Sequence, residues 1–150
     1  MHLHRLALAG LVAAVLAVAG SARAANFFEM NFWLSGPNYS ANVPLCENGF
    51  ALFTTRFKFA QKERRFWESN LRILEIDEIQ ETAFRPGHYA AIPRRYCKGV
   101  AVVSDGIRRP IYYSIAEDTG FAGGIWGVEW CVVGLDRNWA YNPRCKMAMP

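Results

Sequence analysis

The chain has 150 residues, with 17 Lys and Arg against 13 Asp and Glu, 14% aromatic residues and four cysteines. That length suits one domain, able to bury about two-thirds of its unfolded surface. The basic pairs Arg64-Arg65, Arg94-Arg95 and Arg108-Arg109 are scattered and faced by an acidic stretch, Glu75, Asp77, Glu78 and Glu81, so the clustered cationic footprint of a nucleic-acid binder is missing.

Residues 1–24 read as a secretory signal: His2, His4 and Arg5, an apolar run from Leu6 to Gly20, then Ser21, Ala22, Arg23 and Ala24. A basic start, a short apolar middle and an A-x-A site are the parts of a cleavable leader. The run is too short to span a bilayer, and no second long run follows it. Cleavage after Ala24 leaves 126 residues and lowers the net charge from +4 to +2, because Arg5 and Arg23 go with the leader. The expected location is periplasmic or secreted, with no membrane span in the mature protein.

Residues 25–45 form an aromatic-rich N-terminal arm with Phe27, Phe28, Phe32, Trp33 and Tyr39, and with a turn signal at Ser35-Gly36-Pro37-Asn38. The domain proper is expected over 46–150. From Asn48, a reasonable N-cap, the apolar positions Phe50, Phe53, Phe57 and Ala60 step at helical spacing. The alternation Phe53, Thr55, Phe57, Phe59 also fits a strand, so residues 49–62 are open to both readings. Leu71, Ile73, Ile76 and Ile79 then point to one long bent strand or a strand pair within Trp67 to Phe84.

Beyond the break at Arg85-Pro86-Gly87-His88 come three apolar stretches, Tyr96–Ser104, Ile111–Glu117 and Ile125–Leu135. Asp105-Gly106 joins the first two as a hairpin signal, and glycine-rich 120–124 joins the last two. The predicted class is α+β, an antiparallel β-meander of about four to five strands with one N-terminal helix packed on it; a small all-β barrel is the alternative.

Cys46, Cys97, Cys131 and Cys145 all follow the leader, and an even count in an exported chain reads as two disulfides. None has C-x-x-C spacing and His88 is the one histidine beyond the leader, so no metal site and no cofactor are expected. A two-residue turn at Asp105-Gly106 sets Cys97 opposite Ser114, and a loop through Gly120-Phe121 with its centre at Phe121 sets Cys131 opposite Ile111. The two cysteines then leave opposite faces of the sheet. That favours Cys46 with Cys97 and Cys131 with Cys145, over the crossed alternative, since the second pair closes a short turn-rich loop through Asp136, Asn138, Asn142 and Pro143.

Three features carry candidate chemistry. His88 is a lone loop histidine, too little for a nucleophilic triad. Glu129, between Val128 and Trp130, is a candidate carboxylate for hydrolysis with Asp118 or Asp105; the competing reading pairs it with Arg108 or Arg109. Tyr112, Tyr113, Trp126 and Trp130, with Arg108 and Arg109, give an aromatic and arginine-bearing sheet face of the kind used to hold a protein or glycan.

The segments Tyr96-Cys97, Val103-Ser104-Asp105-Gly106, Tyr112-Tyr113, Gly120-Phe121-Ala122-Gly123, Val128-Glu129, Cys131 and Cys145 resemble a group of small secreted alphaproteobacterial four-cysteine proteins. The resemblance covers roughly Cys46 to Cys145 and implies export and a disulfide framework; it brings no activity, substrate or site residue. The expectation is a non-enzymatic binding module for a protein or glycan partner in the cell envelope, with an enzyme inhibitor as one version. A small hydrolase using Glu129 and a structural subunit of an envelope complex are the alternatives.

Overall fold

The computed structural model describes residues 39–87, 92–120 and 125–150. The helix reading of the segment after Asn48 holds: α1 runs Gly49–Trp67, and the Asn48 side chain accepts hydrogen bonds from the backbone N–H of Phe50 and Ala51 at 3.1 Å each. It is longer than the sequence pattern implied, with Arg64 and Arg65 in the last turn facing its negative end. Glu68, left-handed at φ 47°, stops it. Trp67 therefore closes the helix and does not open a strand.

Four strands follow, β1 Ile73–Arg85, β2 Arg94–Val103, β3 Arg108–Ala116 and β4 Gly127–Val132. They pair antiparallel in the order β1-β2-β3-β4. The sheet is open, so the barrel alternative is excluded and the α+β meander is the fold, with β1 and β4 as its edges. β1 is bent as expected, by register shifts against β2 at three places, and Glu78 sits at φ 52° within it. Gly99 lets β1 cross closely, since a Cβ there would stand 2.9 Å from the Asp77 carbonyl oxygen.

The β2–β3 turn differs from the expected two-residue hairpin. The Val103 N–H donates to the Ile107 carbonyl and Gly106 stands at φ 81°, so the loop is three residues, Ser104-Asp105-Gly106, with glycine at the left-handed position. Each partner moves by one: Cys97 pairs with Tyr113, and across the next ladder Cys131 pairs with Tyr112. Val100 and Val102 are only half-buried, and Cys97, Ala101 and Val103 are the β2 side chains that face the core. Because both registers slipped by one, Cys97 and Cys131 still leave opposite faces. The disulfides are Cys46–Cys97 and Cys131–Cys145, the pairing expected from the short loop that the second bond closes.

One face of the sheet packs under α1. Ile73, Ile76, Ala101, Val103, Ile111, Tyr113, Ile115, Val128 and Val132 meet Ala51 and Phe59 there. The segment before the helix is clipped to this body. Ser40 and Ala41 donate to the Glu117 carboxylate, and Arg95 donates to the Val43 and Pro44 carbonyls. The tail turns round β4: Cys145 is bonded to Cys131, and Arg137 and Asn138 reach back to Glu63 and Lys62 of α1 at 3.1 Å each.

Candidate functional site

The aromatic and arginine residues expected on one sheet face are not gathered on one exposed face. Tyr113 is fully buried in the core and its hydroxyl donates to the Cys46 carbonyl at 2.8 Å. Tyr112, its neighbour along β3, belongs to the opposite side of the sheet. Trp130 lies edge-on to Phe59 with centroids 5.5 Å apart and carries Lys62 over its ring. Trp126 lies edge-on to Phe50 at 5.3 Å. Arg108 is held by Asp77 and Glu78 at 2.9 and 3.0 Å, and Arg109 takes both oxygens of Asp105. The alternation of a strand explains this outcome: neighbouring aromatics in sequence are dealt to two faces, and the one beneath the helix becomes core.

Glu129 pairs with an arginine, though with Arg94 at 2.8 Å and not with Arg108 or Arg109. The carboxyl is half-exposed, on the opposite side of the sheet from α1. Of its expected partners, Asp105 is bound to Arg109, whose hydrogen bond brings its carboxyl down to about 2, so it holds no proton to give near neutrality. Asp118 goes the other way, raised by partial burial and by the charge of Glu117. His88 lies outside the described residues. Among the described residues, no group of three or more His, Cys, Asp and Glu is placed to hold a metal ion, and no helix is long and apolar enough to cross a membrane.

The surface with the most unexplained chemistry is on α1. Its buried positions are Ala51, Thr55, Phe59 and Glu63, one every four residues. The apolar stripe expected to face the core, Phe50, Phe53 and Phe57, faces water instead, at 57%, 60% and 56% exposure. At about 100° per residue the two sets lie on opposite sides of the helix. The reason is steric. Ala51 and Thr55 are small enough for the N-terminal half of α1 to settle on the sheet, Thr55 satisfies its hydroxyl on the Ala51 carbonyl, and one large ring, Phe59, fills the remaining space.

The exposed rings form a continuous ridge. Phe53 and Phe57 are stacked at 6.0 Å, Phe50 is 6.5 Å from Phe53, and Trp126 extends the row beyond Phe50. Cations flank it: Arg56, Lys58, Arg64 and Arg65 are all exposed. Arg56 donates to the Ile73 carbonyl and Arg65 lies over Phe66, whereas the side chains of Lys58 and Arg64 have no polar or charged partner among the described residues. Of the sheet's arginines, Arg94, Arg95, Arg108 and Arg109 are each paired with acids, and Arg85 lies over the Tyr96 ring. Past Phe57 the ridge opens on a shallow groove of about 300 Å³ lined by Phe57, Arg64, Leu71 and Arg72 among others.

A signal for this arrangement is present in the residues. The i, i+4 series Ala51, Thr55, Phe59, Glu63 is as regular as the Phe50, Phe53, Phe57 series. What hides it is Glu63, which a hydropathy reading sends to the surface. In the fold Glu63 is buried and ion-paired with Arg137, whose guanidinium also lies over Trp67. Comparison with family models, with curated proteins and with solved structures finds no match for this chain.

Proposed function

We propose that the protein is a non-enzymatic interaction domain working outside the cytoplasm, and that its binding surface is the outer face of α1. The leader-like residues 1–24 and the two disulfides support the compartment, since such bonds persist in oxidising spaces. The observation that carries the surface is the ridge itself: three phenylalanines at i, i+3 and i+7, all more than half-exposed, on the side of the helix away from the sheet. That spacing is how a helix presents anchors to an apolar groove on another protein. More than half of each ring is left in water by the fold, and large exposed apolar patches on a folded domain mark contact surfaces.

The partner is a protein with an apolar groove rimmed by carboxylates. Lys58, Arg64 and Arg65 beside the rings supply the complementary charge, which speeds encounter and fixes orientation. A projecting ridge is the complement of a groove, and it is the shape by which a small domain plugs an enzyme cleft, so inhibition is one form the activity takes. On the sheet face named from the sequence, Tyr113 is core, Trp126 and Trp130 pack against the core, and Arg108 and Arg109 are held in ion pairs, so the helix face is the surface proposed.

The test places a photoactivated cross-linking residue at Phe53 in the exported protein within cells, with the same residue at Thr82 on β1 as control. Cross-links to one discrete protein from position 53 and none from position 82 are the expected result. Cross-links from position 53 to lipid, or cross-links from Thr82 alone, overturn the assignment.

A further inference from the structure

The tail carries a second surface feature, independent of the helix face. Here a groove of about 360 Å³ is lined by Asp136, Arg137, Trp139, Asn142 and Arg144, beside Gly134 and Cys145. Trp139 is 72% exposed, the most exposed of the large apolar side chains described. Its backbone is left-handed at φ 59°, and Arg144 and Cys145 on the same groove stand at φ 48° and 64°. Large side chains pay for that region in steric strain, which persists only where the surroundings enforce it.

The surroundings do so here. The Trp139 N–H donates to the Asp136 carbonyl at 3.1 Å, and the Asp136 carboxylate accepts from the N–H of Tyr141 at 2.8 Å and of Ala140 at 3.3 Å. Cys145 is tied to Cys131, and the Lys146 N–H closes a turn on the Pro143 carbonyl at 2.9 Å. The loop thus spends strain to hold an indole out in water, where it contributes nothing to the core. Around that ring, the side chains of Asn142 and Arg144 are exposed and have no partner among the described residues. Arg137 is committed to Glu63, and the Asp136 carboxylate to the loop N–H groups.

We infer that this groove binds a carboxylate-bearing sugar. The chemistry follows from the three unengaged groups. The flat indole is a stacking surface for the apolar face of a pyranose ring. The Arg144 guanidinium matches a carboxylate in a two-pronged geometry, and the Asn142 amide offers both a donor and an acceptor to ring hydroxyls. A neutral sugar would use the indole and the amide and leave Arg144 idle. A simple anion would leave the indole idle.

The experiment titrates the mature protein with galacturonic acid trisaccharide, and in parallel with the neutral galactose trisaccharide, following the tryptophan indole N–H resonances. The acidic sugar should shift the Trp139 indole, and the neutral one should bind at least about tenfold more weakly, the worth of one charge-assisted contact. Arg144→Gln should weaken the acidic sugar by a similar factor and remove its advantage over the neutral one. Trp139→Gly, which relieves the left-handed strain, should keep or raise the melting temperature while abolishing binding, so loss of fold and loss of site are told apart. No shift at the Trp139 indole, an equal response to both sugars, or an Arg144→Gln variant that binds as well as the parent would overturn the inference.

Discussion

Tyr113 shows how much one buried polar group can be asked to do. Its hydroxyl joins β3 to the Cys46 carbonyl, so it reinforces the same seam as the Cys46–Cys97 bridge. Tyr113→Phe leaves that carbonyl without its donor and should cost about 1 to 3 kcal/mol in denaturant unfolding, while the disulfides stay intact. Burial, and after it the charge of Glu47, push the phenol above its ordinary range. A group that is harder to ionise when folded adds stability in full below its unfolded pKa, about 10, and loses it as pH rises past that value. The parent should therefore weaken above about pH 10, and Tyr113→Phe should lose this part of the alkaline slope; unchanged slopes would contradict the buried position.

At the level of elements, much was legible because local chemistry and the final structure agree. Asn48 does cap the helix, Asp105-Gly106 does turn the chain, and the three apolar stretches beyond the break at Arg85-Pro86-Gly87-His88 overlap β2, β3 and β4. What stayed hidden depends on contacts distant in sequence. α1 carries two apolar series, and which of them is buried was decided by the sheet, where Ala51 and Thr55 allow an approach that Phe50 and Phe53 would block. The hairpin loop has three residues and not two, and the difference of one residue exchanges the two faces of β2. The tail's grip on α1 through Arg137 and Glu63 leaves no local trace at all. The candidate site shared this fate, since a sheet face was expected and a helix face is exposed.

The helix assignment separates two classes of phenylalanine. Phe59→Ala empties a core position and should cost about 3 to 5 kcal/mol. The double change Phe53→Ser and Phe57→Ser removes exposed rings and should leave stability within about 0.5 kcal/mol of the parent. Thermal unfolding of the two variants side by side checks this, and equal losses would place all three rings in the core.

For the molecule as a whole, the two bridges sit at its two ends. Cys46–Cys97 fastens the segment before α1 to β2, and Cys131–Cys145, 14 positions apart, fastens the tail to β4. Cys145→Ala should cost about 2 to 4 kcal/mol, chiefly by freeing the unfolded chain. Trp139 is already in water, so its release adds no new apolar surface. The change should appear instead as loosening of Arg137 and Asn138 from α1, with the sheet retained. A Cys145→Ala protein as stable as the parent would show that the tail bears no load.

The central claim, that the helix lies with its phenylalanine ridge outward and Phe59 inward, is open to direct measurement in the mature protein. A soluble paramagnetic gadolinium chelate broadens ring resonances according to their exposure. The account predicts strong relaxation of the Phe50, Phe53 and Phe57 rings and protection of Phe59. Protected Phe53 and Phe57, whether from a rotated helix or from a covering segment of the same chain, would contradict it.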